Sequence, residues 1–373
     1  MAISGVAIEV VQRIDDVDPQ AWDALCSDNP FARHRWLRLA EALLADYEPR
    51  YVLARRDGRL DAAAVLSIGR RFKHQTLERR LGWALRCFPL VRCAAPVTSS
   101  PGLLVAPRPG ASDVVPSLLA AIRRQALANR ALFVTYGQSS ADDPRWIPLS
   151  AGGFQQYGRQ TDMLLPIAWD STEEYLASLP GSDRRKIGKL ERRSIREGVT
   201  VERLRAPLEN AAHLQQLIGS VLARHGTRDV YVPDFLECAH SVCGDDLQVV
   251  AAWRDGEVIG CAVALREADT LVARWLGLDY ARSWGTSTYR LLIFRIVQLA
   301  IALGVRTLSL GPTASDTKAD FGAVASERIS ALAVLAPIPA SLVGAAAQLV
   351  AGRAAIDPTY SSATAGSAPA LPG

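Results

Sequence analysis

The sequence predicts an α/β (α+β) protein made of two tandem, related domains, each a mixed, mainly antiparallel sheet flanked by helices. Two observations carry this prediction, the length of the chain and an internal repeat. The chain has 373 residues and a mass of 40.2 kDa, which fits two domains because one domain commonly has roughly 100–200 residues. Hydrophobic residues make up 49% and charged residues 21%, which excludes global disorder, collagen and coiled coil.

The internal repeat is a hairpin motif followed by a helix and a strand. Residues 51–66 read YVLARRDGRLDAAAVL, and residues 249–265 read VVAAWRDGEVIGCAVAL. Arg-Asp-Gly splits each apolar run, and Asp-Gly tolerates the positive φ of a tight hairpin turn. The helical and strand patterns that follow lie at 115–130 and 132–137 in the first half, and at 288–304 and 305–311 in the second. The same order twice predicts two related domains, although hairpins and helices also recur by chance.

The second half shows the order of elements in most detail. Three apolar runs bounded by turn residues predict antiparallel strands, and a loop then leads to a helix that is apolar on all sides and therefore buried. A polar helical segment and a second helix precede the strands. These segments are 171–197 and 207–224 for the helices, 247–253, 257–265 and 270–278 for the strands, and 279–287 for the loop.

The domain limits follow from these patterns. We place the first domain at residues 1–165, the second at 166–352 and a disordered tail of small residues at 353–373. The apolar run at 331–350 nearly reaches the ~20 residues of a membrane span. Two prolines interrupt it, so we interpret it as a strand followed by a packed helix. The N-terminus lacks a secretory signal pattern, and we expect a cytoplasmic protein without integral membrane association.

The cysteines and the charge balance also bear on the kind of site to expect. The six cysteines form neither a Cys-x-x-Cys pair nor a zinc spacing, so we expect reduced thiols and no metal. The net charge of +4 is too small to indicate nucleic acid by itself. Only four of the 42 basic residues are lysine, which draws attention to each lysine.

The order of three antiparallel strands, loop, buried helix and further strand resembles the core of the GNAT acyltransferase superfamily. GNAT enzymes carry Arg/Gln-x-x-Gly-x-Gly/Ala where the loop enters the helix. Here Arg282 and Gly285 match, Thr286 occupies a variable position, and Ser287 stands where Gly or Ala is usual. The resemblance implies a donor site in the second half, where backbone N–H groups at the helix N-terminus hold phosphate oxygens. The alternative is a simple helix entry with Thr286 or Ser287 as N-cap.

Two GNAT-like halves in one chain resemble the Fem-type (FemAB-like) family of aminoacyl and peptidyl transferases over roughly residues 25–335. The first half lacks the Gly-containing loop pattern, so its donor loop is degenerate. The resemblance depends on an opening helix, a basic helix that begins the second half, and a closing loop with a Gly, a Lys and a Phe/Trp-Gly pair. These stretches are residues 30–43, 176–204 and 310–323.

Three residues are the catalytic candidates. Lys318 lies in the closing loop, and a retained lysine in an arginine-rich chain indicates a need for a compact ammonium that stabilises an oxyanion or holds a carboxylate or phosphate. A solvated loop lysine is the alternative. Arg274, on the third strand, faces either the cleft or a surface acid such as Asp269 or Asp279. Tyr289 can donate or accept a proton or simply pack in the core.

The GNAT resemblance also implies a role for the backbone of the third strand. In GNAT enzymes this strand splays away from its neighbour, and its backbone N–H polarises the acyl carbonyl. The corresponding backbone lies near Leu276 and Gly277. The acceptor pocket that we predict comprises Tyr231, Trp275, Tyr280, Phe321 and Gly322. For each of these tyrosines, core packing with a satisfied hydroxyl is an equal alternative.

A basic run on the polar helix predicts a phosphate-binding surface. Its members are Arg184, Arg185, Lys186, Lys189 and Arg192. Arginines and lysines at this density suit a tRNA backbone, a nucleotide-linked acceptor or the CoA phosphate. A solvated helix face is the alternative interpretation of any charge run.

These observations predict an N-acyltransferase that forms an amide bond without a covalent enzyme intermediate or a tightly bound cofactor. Aminoacyl-tRNA is the favoured co-substrate and acyl-CoA the alternative, with a small-molecule or cell-wall-precursor amine as acceptor. The candidate bases are Asp316, Asp279 and Glu267. We expect a monomer or a homodimer. A non-catalytic binding protein and a protein docked on a membrane surface are the hypotheses from other classes.

Overall fold

The computed structural model describes residues 5–205 and 208–336. The predicted helix beyond residue 336 and the predicted tail at 353–373 lie outside them.

Thirteen strands occur within the described ranges, and all of them belong to one sheet. They are β1 Val6–Val11, β2 Pro49–Arg56, β3 Arg59–Gly69, β4 Leu90–Cys93, β5 Leu103–Val105, β6 Phe133–Ser139, β7 Phe154–Pro166, β8 Thr200–Leu204, β9 Leu247–Arg254, β10 Glu257–Glu267, β11 Thr270–Leu278, β12 Thr307–Ser309 and β13 Val324–Val334. The three strands predicted for the second half are confirmed as β9, β10 and β11.

Eleven α-helices cover the same part of the chain. They are α1 Pro19–Asp23, α2 His34–Leu43, α3 Gln75–Cys87, α4 Val115–Ala128, α5 Trp146–Ala151, α6 Thr172–Ser178, α7 Gly181–Arg196, α8 Ala211–Arg224, α9 Phe235–Cys243, α10 Thr288–Ala302 and α11 Ser315–Ala319. The mixed α/β architecture predicted from the repeat is therefore confirmed. The apolar helix predicted at 288–304 is α10, and ten of its fifteen residues are buried.

The two repeated Asp-Gly turns adopt the same backbone conformation. Asp57 and Gly58 have φ values of 51° and 77°, and Asp255 and Gly256 have 54° and 79°. Two consecutive residues with positive φ form the hairpin turn that matches the right-handed twist of the flanking strands. The turns connect β2 to β3 and β9 to β10.

The order of strands across the sheet reflects the duplication. It runs β1-β2-β3-β4-β6-β13-β7-β12-β11-β10-β9-β8, with β5 beside β3. Reading inward from either edge gives equivalent strands, so the two halves are related by an approximate twofold axis between β13 and β7. Each half also contains one parallel pair, β4 with β6 and β11 with β12.

The central strands are exchanged between the halves. β7 closes the first half in sequence but pairs with β12 of the second, and β13 from the end of the chain pairs with β6 of the first. The apolar core around α4 accordingly contains Ala331 and Ala333, and the core around α10 contains Met163 and Leu165. Each core is therefore completed by the other half, and the limits predicted at 165 and 166 stay a prediction about sequence order.

A buried ion cluster joins the halves at a second place. Glu267 at the end of β10 is 3% exposed and accepts hydrogen bonds from Arg33 Nη1 at 2.6 Å, Arg35 Nε at 2.7 Å and Trp36 Nε1 at 2.7 Å. Arg35 also donates to Asp246 at 2.9 Å. Since three donors satisfy this carboxylate, Glu267 has a structural role rather than that of a candidate base.

Candidate functional site

A cavity opens where β11 and β12 part. The two strands pair only from Thr270 with Thr307 to Val272 with Ser309, and β11 then continues to Leu278 without β12 beside it. The cavity has a volume of about 170 Å³. It is lined by Ala262, Ala273, Arg274, Trp275, Leu276, Tyr289, Ile293, Ile296, Leu310, Gly311, Pro312, Thr313 and Lys318. All three catalytic candidates, Lys318, Arg274 and Tyr289, therefore line one cavity.

The β11 wall of the cavity is distorted at Arg274. On β10, Val263 faces Trp275 and Ala264 faces Ala273, so Arg274 is the extra residue of a β-bulge. The N–H of Asp279 donates to Ile259 O at 2.9 Å. Hydrogen bonds in an antiparallel pair alternate along the strand, so the N–H of Leu276 points away from β10 and toward the opening.

Lys318 also lines the cavity. It lies on α11, which begins after Ala314 in the left-handed region at φ 52°. The lysine side chain is buried, with Lys318 3% exposed, and its Nζ donates to Gly311 O at 3.0 Å. Burial lowers the pKa of Lys318 from 10.5 to about 8, against the opposing effect of Asp162. Lys318 is therefore a buried lysine that lines the cavity. The alternative of a solvated loop lysine does not apply to it.

Asp162 was not anticipated from the sequence. It lies on β7, the strand that the first half contributes, and accepts from Ser309 Oγ at 3.1 Å. Its charge acts on Lys318. No local motif marks this residue, because its proximity to the cavity depends on the exchange of β7.

Arg274 lines the cavity and contacts two aromatic residues. Its Nη2 donates to Tyr231 Oη at 3.1 Å, and its Cζ lies 5.4 Å from the ring centroid of Trp275. Its Nε is buried without a hydrogen-bond partner in the described part of the chain. The surface acids named as alternative partners are engaged elsewhere, since Asp269 pairs with Arg306 at 3.6 Å and Asp279 accepts from the following loop.

In the loop expected to hold the donor phosphates, backbone N–H groups already donate to acceptors within the protein. Asp279 Oδ1 accepts from the N–H groups of Ala281 and Arg282 at 2.9 and 3.0 Å, and Thr286 N–H donates to Ser283 O at 3.0 Å. At the N-terminus of α10, Ser287 N–H donates to Glu197 Oε2 at 3.0 Å. Two carboxylates therefore occupy donors that a bound phosphate would need.

Glu197 is itself held in place by an arginine. Arg193 Nε donates to Glu197 Oε1 at 2.5 Å, and Arg193 Nη2 donates to Gly285 O at 2.5 Å. Gly285 has φ of 71° and open space where a Cβ would lie. Arg282 forms an ion pair with Glu257, and both side chains are more than half exposed. Ser287 is the N-cap residue of α10 and makes no side-chain capping hydrogen bond, while Thr286 Oγ1 contacts Thr288 N and Oγ1. Of the two alternatives for this loop, these contacts favour a helix entry whose N–H groups are satisfied by the protein itself.

The predicted acceptor residues divide into two groups. Trp275 lines the cavity, and the Tyr231 ring meets it edge to face with centroids 5.8 Å apart. Phe321 instead lies in the core, fully buried and stacked on Phe294 at 6.2 Å, because the chain turns inward after α11. Neither Gly322 nor Tyr280 lines the cavity; the ring of Tyr280 lies under the guanidinium of Arg224 at 4.3 Å.

The basic run forms the exposed face of α7. Lys186 pairs with Asp183 at 2.9 Å and with Asp320 at 2.6 Å, so its charge is offset. Arg184 and Arg185 donate to backbone oxygens within or just before the helix. Lys189 and Arg192 are exposed and, within the described ranges, form no ion pair.

A duplicated sheet, a bulged strand that splays from its parallel neighbour, and a buried helix behind the opening define a tandem GNAT-fold protein. The chain belongs to the FemAB-like family of peptidoglycan biosynthesis and recognition, which matches residues 13–345. No curated protein matches the chain at a significant level.

Solved structures share this fold at low sequence identity. FemX superposes with a TM-score of 0.55 at 14% identity, covering 86% of this chain and 96% of FemX. A tandem GNAT protein from the clavulanic acid biosynthesis pathway gives 0.55 at 15% identity, covering 89% and 100%. L-PGS from Bacillus licheniformis gives 0.57 at 12%, covering 91% and 97%. Family and fold together support a transferase of the acyltransferase type.

The described residues include no helix that is long and apolar enough to cross a bilayer.

Proposed function

We propose that this protein transfers an aminoacyl group from aminoacyl-tRNA to the amine of a small-molecule or cell-wall-precursor acceptor. The observation that carries the proposal is that the buried Lys318 and Leu276 of the splayed strand β11 line one cavity. An ammonium and a backbone N–H that both reach a small cavity suit an oxygen that gains negative charge during acyl transfer. A cytoplasmic location and a monomeric or homodimeric state accompany the proposal as predictions.

The reaction that this geometry supports is direct aminolysis of an ester. The acceptor amine attacks the ester carbonyl, and a C–N bond forms while the carbonyl electrons move onto oxygen. Lys318 and the Leu276 N–H stabilise that oxyanion. When the oxyanion collapses, the C–O bond to the tRNA ribose breaks, the nitrogen loses a proton, and the ribose oxygen gains one. Holding both substrates in the cavity makes the attack effectively unimolecular.

The choice of donor depends on the loop before α10. Binding of a CoA pyrophosphate would place it beside the carboxylates of Asp279 and Glu197, which already accept from the loop's amides. Like charges at this distance repel, and the displaced N–H donors would have to find new partners. A tRNA ester does not require this loop, because its phosphates can lie along the exposed cations of α7. Acyl-CoA remains the second candidate, favoured by the match of Arg282 and Gly285 to the GNAT pattern.

A transfer assay with two donors tests the proposal. The purified protein is given a pool of radiolabelled aminoacyl-tRNA or acetyl-CoA, each with a panel of amines, and the amide product is measured. We expect label transfer from aminoacyl-tRNA only, and its loss in Lys318→Met. Transfer from acetyl-CoA alone would replace the proposal with the second candidate, and no transfer from either donor would favour a non-catalytic binding protein.

Binding of tRNA to α7 can be measured separately from aminoacyl transfer. Lys189→Glu and Arg192→Glu should weaken the binding of deacylated tRNA and lower the slope of log K against log salt by about 1 for each phosphate that is no longer neutralised. Arg306→Glu, at an exposed arginine just before β12, is the matched control and should leave binding unchanged. Equal weakening of tRNA binding in all three variants would argue against a specific docking surface on α7.

A further inference from the structure

The first half contains an insertion that the second half lacks. The order of strands in the sheet makes β3 equivalent to β10 and β4 equivalent to β11. In the second half, Ala268 and Asp269 alone connect the two strands, whereas in the first half residues 70–89 connect them and form α3. The second half therefore shows that a short turn is enough to build this part of the sheet, and the fold itself does not require α3.

α3 is fixed to the rest of the protein at its start. Lys73 O accepts from Arg228 N–H at 2.6 Å, and Gln75 N–H donates to Gly226 O at 2.8 Å. Of the thirteen residues of α3, only Gly82 is buried, whereas ten of the fifteen residues of α10 are buried. A helix that is held at one end and packs so little leaves most of its surface in contact with solvent.

Large apolar side chains of α3, and of the residue that follows it, are exposed. Trp83 is 60% exposed, Phe88 46% and Leu81 36%. Leu77, Leu81 and Ala84 have the i, i+4, i+7 spacing of one helix face, and all three are at least partly exposed. Single exposed apolar residues are common on protein surfaces, but a group of them on one short helix marks an interaction site.

The insertion also concentrates the positive charge of the protein. Residues 70–89 contain six basic residues and one acidic residue, a net charge of +5, which exceeds the +4 of the whole chain. The acid, Glu78, accepts from Arg86 Nη1 at 3.2 Å, so its charge is used within the insertion. Arg79 and Arg80 are exposed and, in the described part of the chain, form no ion pair. The exposed apolar side chains therefore lie among uncompensated cations.

We propose that α3 binds the surface of an anionic lipid bilayer and holds the protein there as a peripheral membrane protein. The helix has thirteen residues, too few to span a bilayer, and it lies in the plane of the interface. Leu81 and Phe88 enter the boundary between headgroups and acyl chains, Trp83 lies at the interface, and the arginines contact lipid phosphates. The proposal does not depend on the proposed transfer reaction.

Two other kinds of partner match these observations less well. In a symmetric dimer the same surface of two chains meets, which would bring together two regions that each carry +5. An RNA would match the arginines and could stack a base on Trp83, but it would leave Leu81 and Phe88 without an apolar partner. An anionic bilayer surface offers phosphates to the cations and an apolar layer to the other side chains.

Vesicle flotation of the full-length protein tests the proposal. We expect binding to phosphatidylcholine vesicles that contain about 30% phosphatidylglycerol, and little binding to phosphatidylcholine alone. Arg79→Gln and Arg80→Gln should each weaken binding about fivefold at low salt and much less at high salt. Trp83→Ser should weaken it at least about tenfold at either salt concentration, because it removes apolar area from the bilayer.

Matched variants elsewhere on the surface are the controls. Ile147→Ser replaces an apolar residue of α5 that is 79% exposed, and Arg306→Gln replaces an exposed arginine far from α3 in sequence. Both should leave flotation unchanged. Thermal unfolding shows that each variant is folded, which we expect because all of these side chains are exposed.

A fluorescent label on Cys87 tests insertion of the helix directly. Cys87 is exposed, four other cysteines are buried, and Cys238→Ser removes the half-buried sixth. An environment-sensitive dye on Cys87 should brighten and shift to shorter wavelength when anionic vesicles are added. Unchanged emission with vesicles that do bind the protein would show that α3 stays in water and would overturn the proposal.

Three further outcomes would overturn it. The first is no flotation with anionic vesicles at low salt, or equal flotation of the wild type, Trp83→Ser and Arg79→Gln. Binding of deacylated tRNA that falls in both variants, without flotation, would assign α3 to RNA. A dimer in sedimentation equilibrium that Trp83→Ser converts to a monomer, without flotation, would assign α3 to a second copy of the chain. Aminoacyl transfer by a protein that does not float would reject this proposal and leave the proposed function standing.

Discussion

Replacing Lys318 by methionine should stabilise the protein at neutral pH while abolishing transfer. The side chain is 3% exposed, and burial is the main cause of its lowered pKa. A lysine whose folded pKa lies below its unfolded value carries a free-energy cost whenever it is protonated. The difference between 10.5 and about 8 corresponds to about 3 kcal/mol at pH values below 8. Methionine has a similar shape and no charge, and it loses only the bond to Gly311 O, worth about 1 kcal/mol.

The stability gained in Lys318→Met should depend on pH. Between pH 8 and 10.5 the folded state binds fewer protons than the unfolded state, so the stability of the wild type rises with pH in that window. The advantage of Lys318→Met should therefore be largest near pH 7, at about 2–3 kcal/mol, and shrink toward zero near pH 10.5. For a chain of this size, that is a rise in Tm of roughly 3–4 °C at pH 7.

The assay is urea unfolding of wild type and variant at several pH values from 7 to 10. Lys189→Met, at an exposed lysine of α7, is the matched control and should change stability by less than about 0.5 kcal/mol at every pH. A Lys318→Met variant that is less stable than the wild type at pH 7, or whose difference does not depend on pH, would refute a buried ammonium facing the cavity.

Three further predictions follow from the same contacts. The rate of aminoacyl transfer should fall as the pH rises through about 8, because Lys318 then loses the proton that stabilises the oxyanion; a profile that stays level from pH 8 to 10 would contradict this role. Glu197→Ala should free the Ser287 N–H, lower stability by about 1 kcal/mol and increase the affinity for CoA in calorimetry; unchanged CoA affinity would show that the carboxylate does not exclude it. Glu267→Ala should lower the free energy of unfolding by about 1–3 kcal/mol in urea titrations, because it leaves the buried Trp36 N–H without its acceptor and removes the ion pairs of two partly exposed arginines; a decrease below about 0.5 kcal/mol would mean that these contacts do not stabilise the fold.

Features of the fold that depend on local sequence patterns could be predicted from the sequence. The two Asp-Gly turns, the apolar helix α10 and the strand β11 follow from turn chemistry and hydrophobic runs within a few residues. The scarcity of lysine singled out Lys318, and the duplicated order of elements placed Arg274 on the splayed strand. These inferences needed no knowledge of which distant segments meet.

Contacts between segments that are distant in sequence could not be predicted from local patterns. Glu197 ends the basic helix and gives no sign in sequence that it reaches Ser287, ninety positions later. Phe321 belongs to a motif that suggested the acceptor pocket, but an aromatic residue beside a site and one in the core have the same local pattern.

Because β7 and β13 are exchanged, the first half contributes residues to a site that lies mainly in the second half. β7 supplies the partner for β12 at one edge of the cavity, and it brings Asp162 beside Ser309 and within electrostatic range of Lys318. Without β7, the edge of β12 would be unpaired, and the charge that raises the pKa of Lys318 against the effect of burial would be missing. A duplication in which only one loop keeps the GNAT pattern therefore still needs both copies, because the degenerate copy completes the sheet and tunes the lysine of the other.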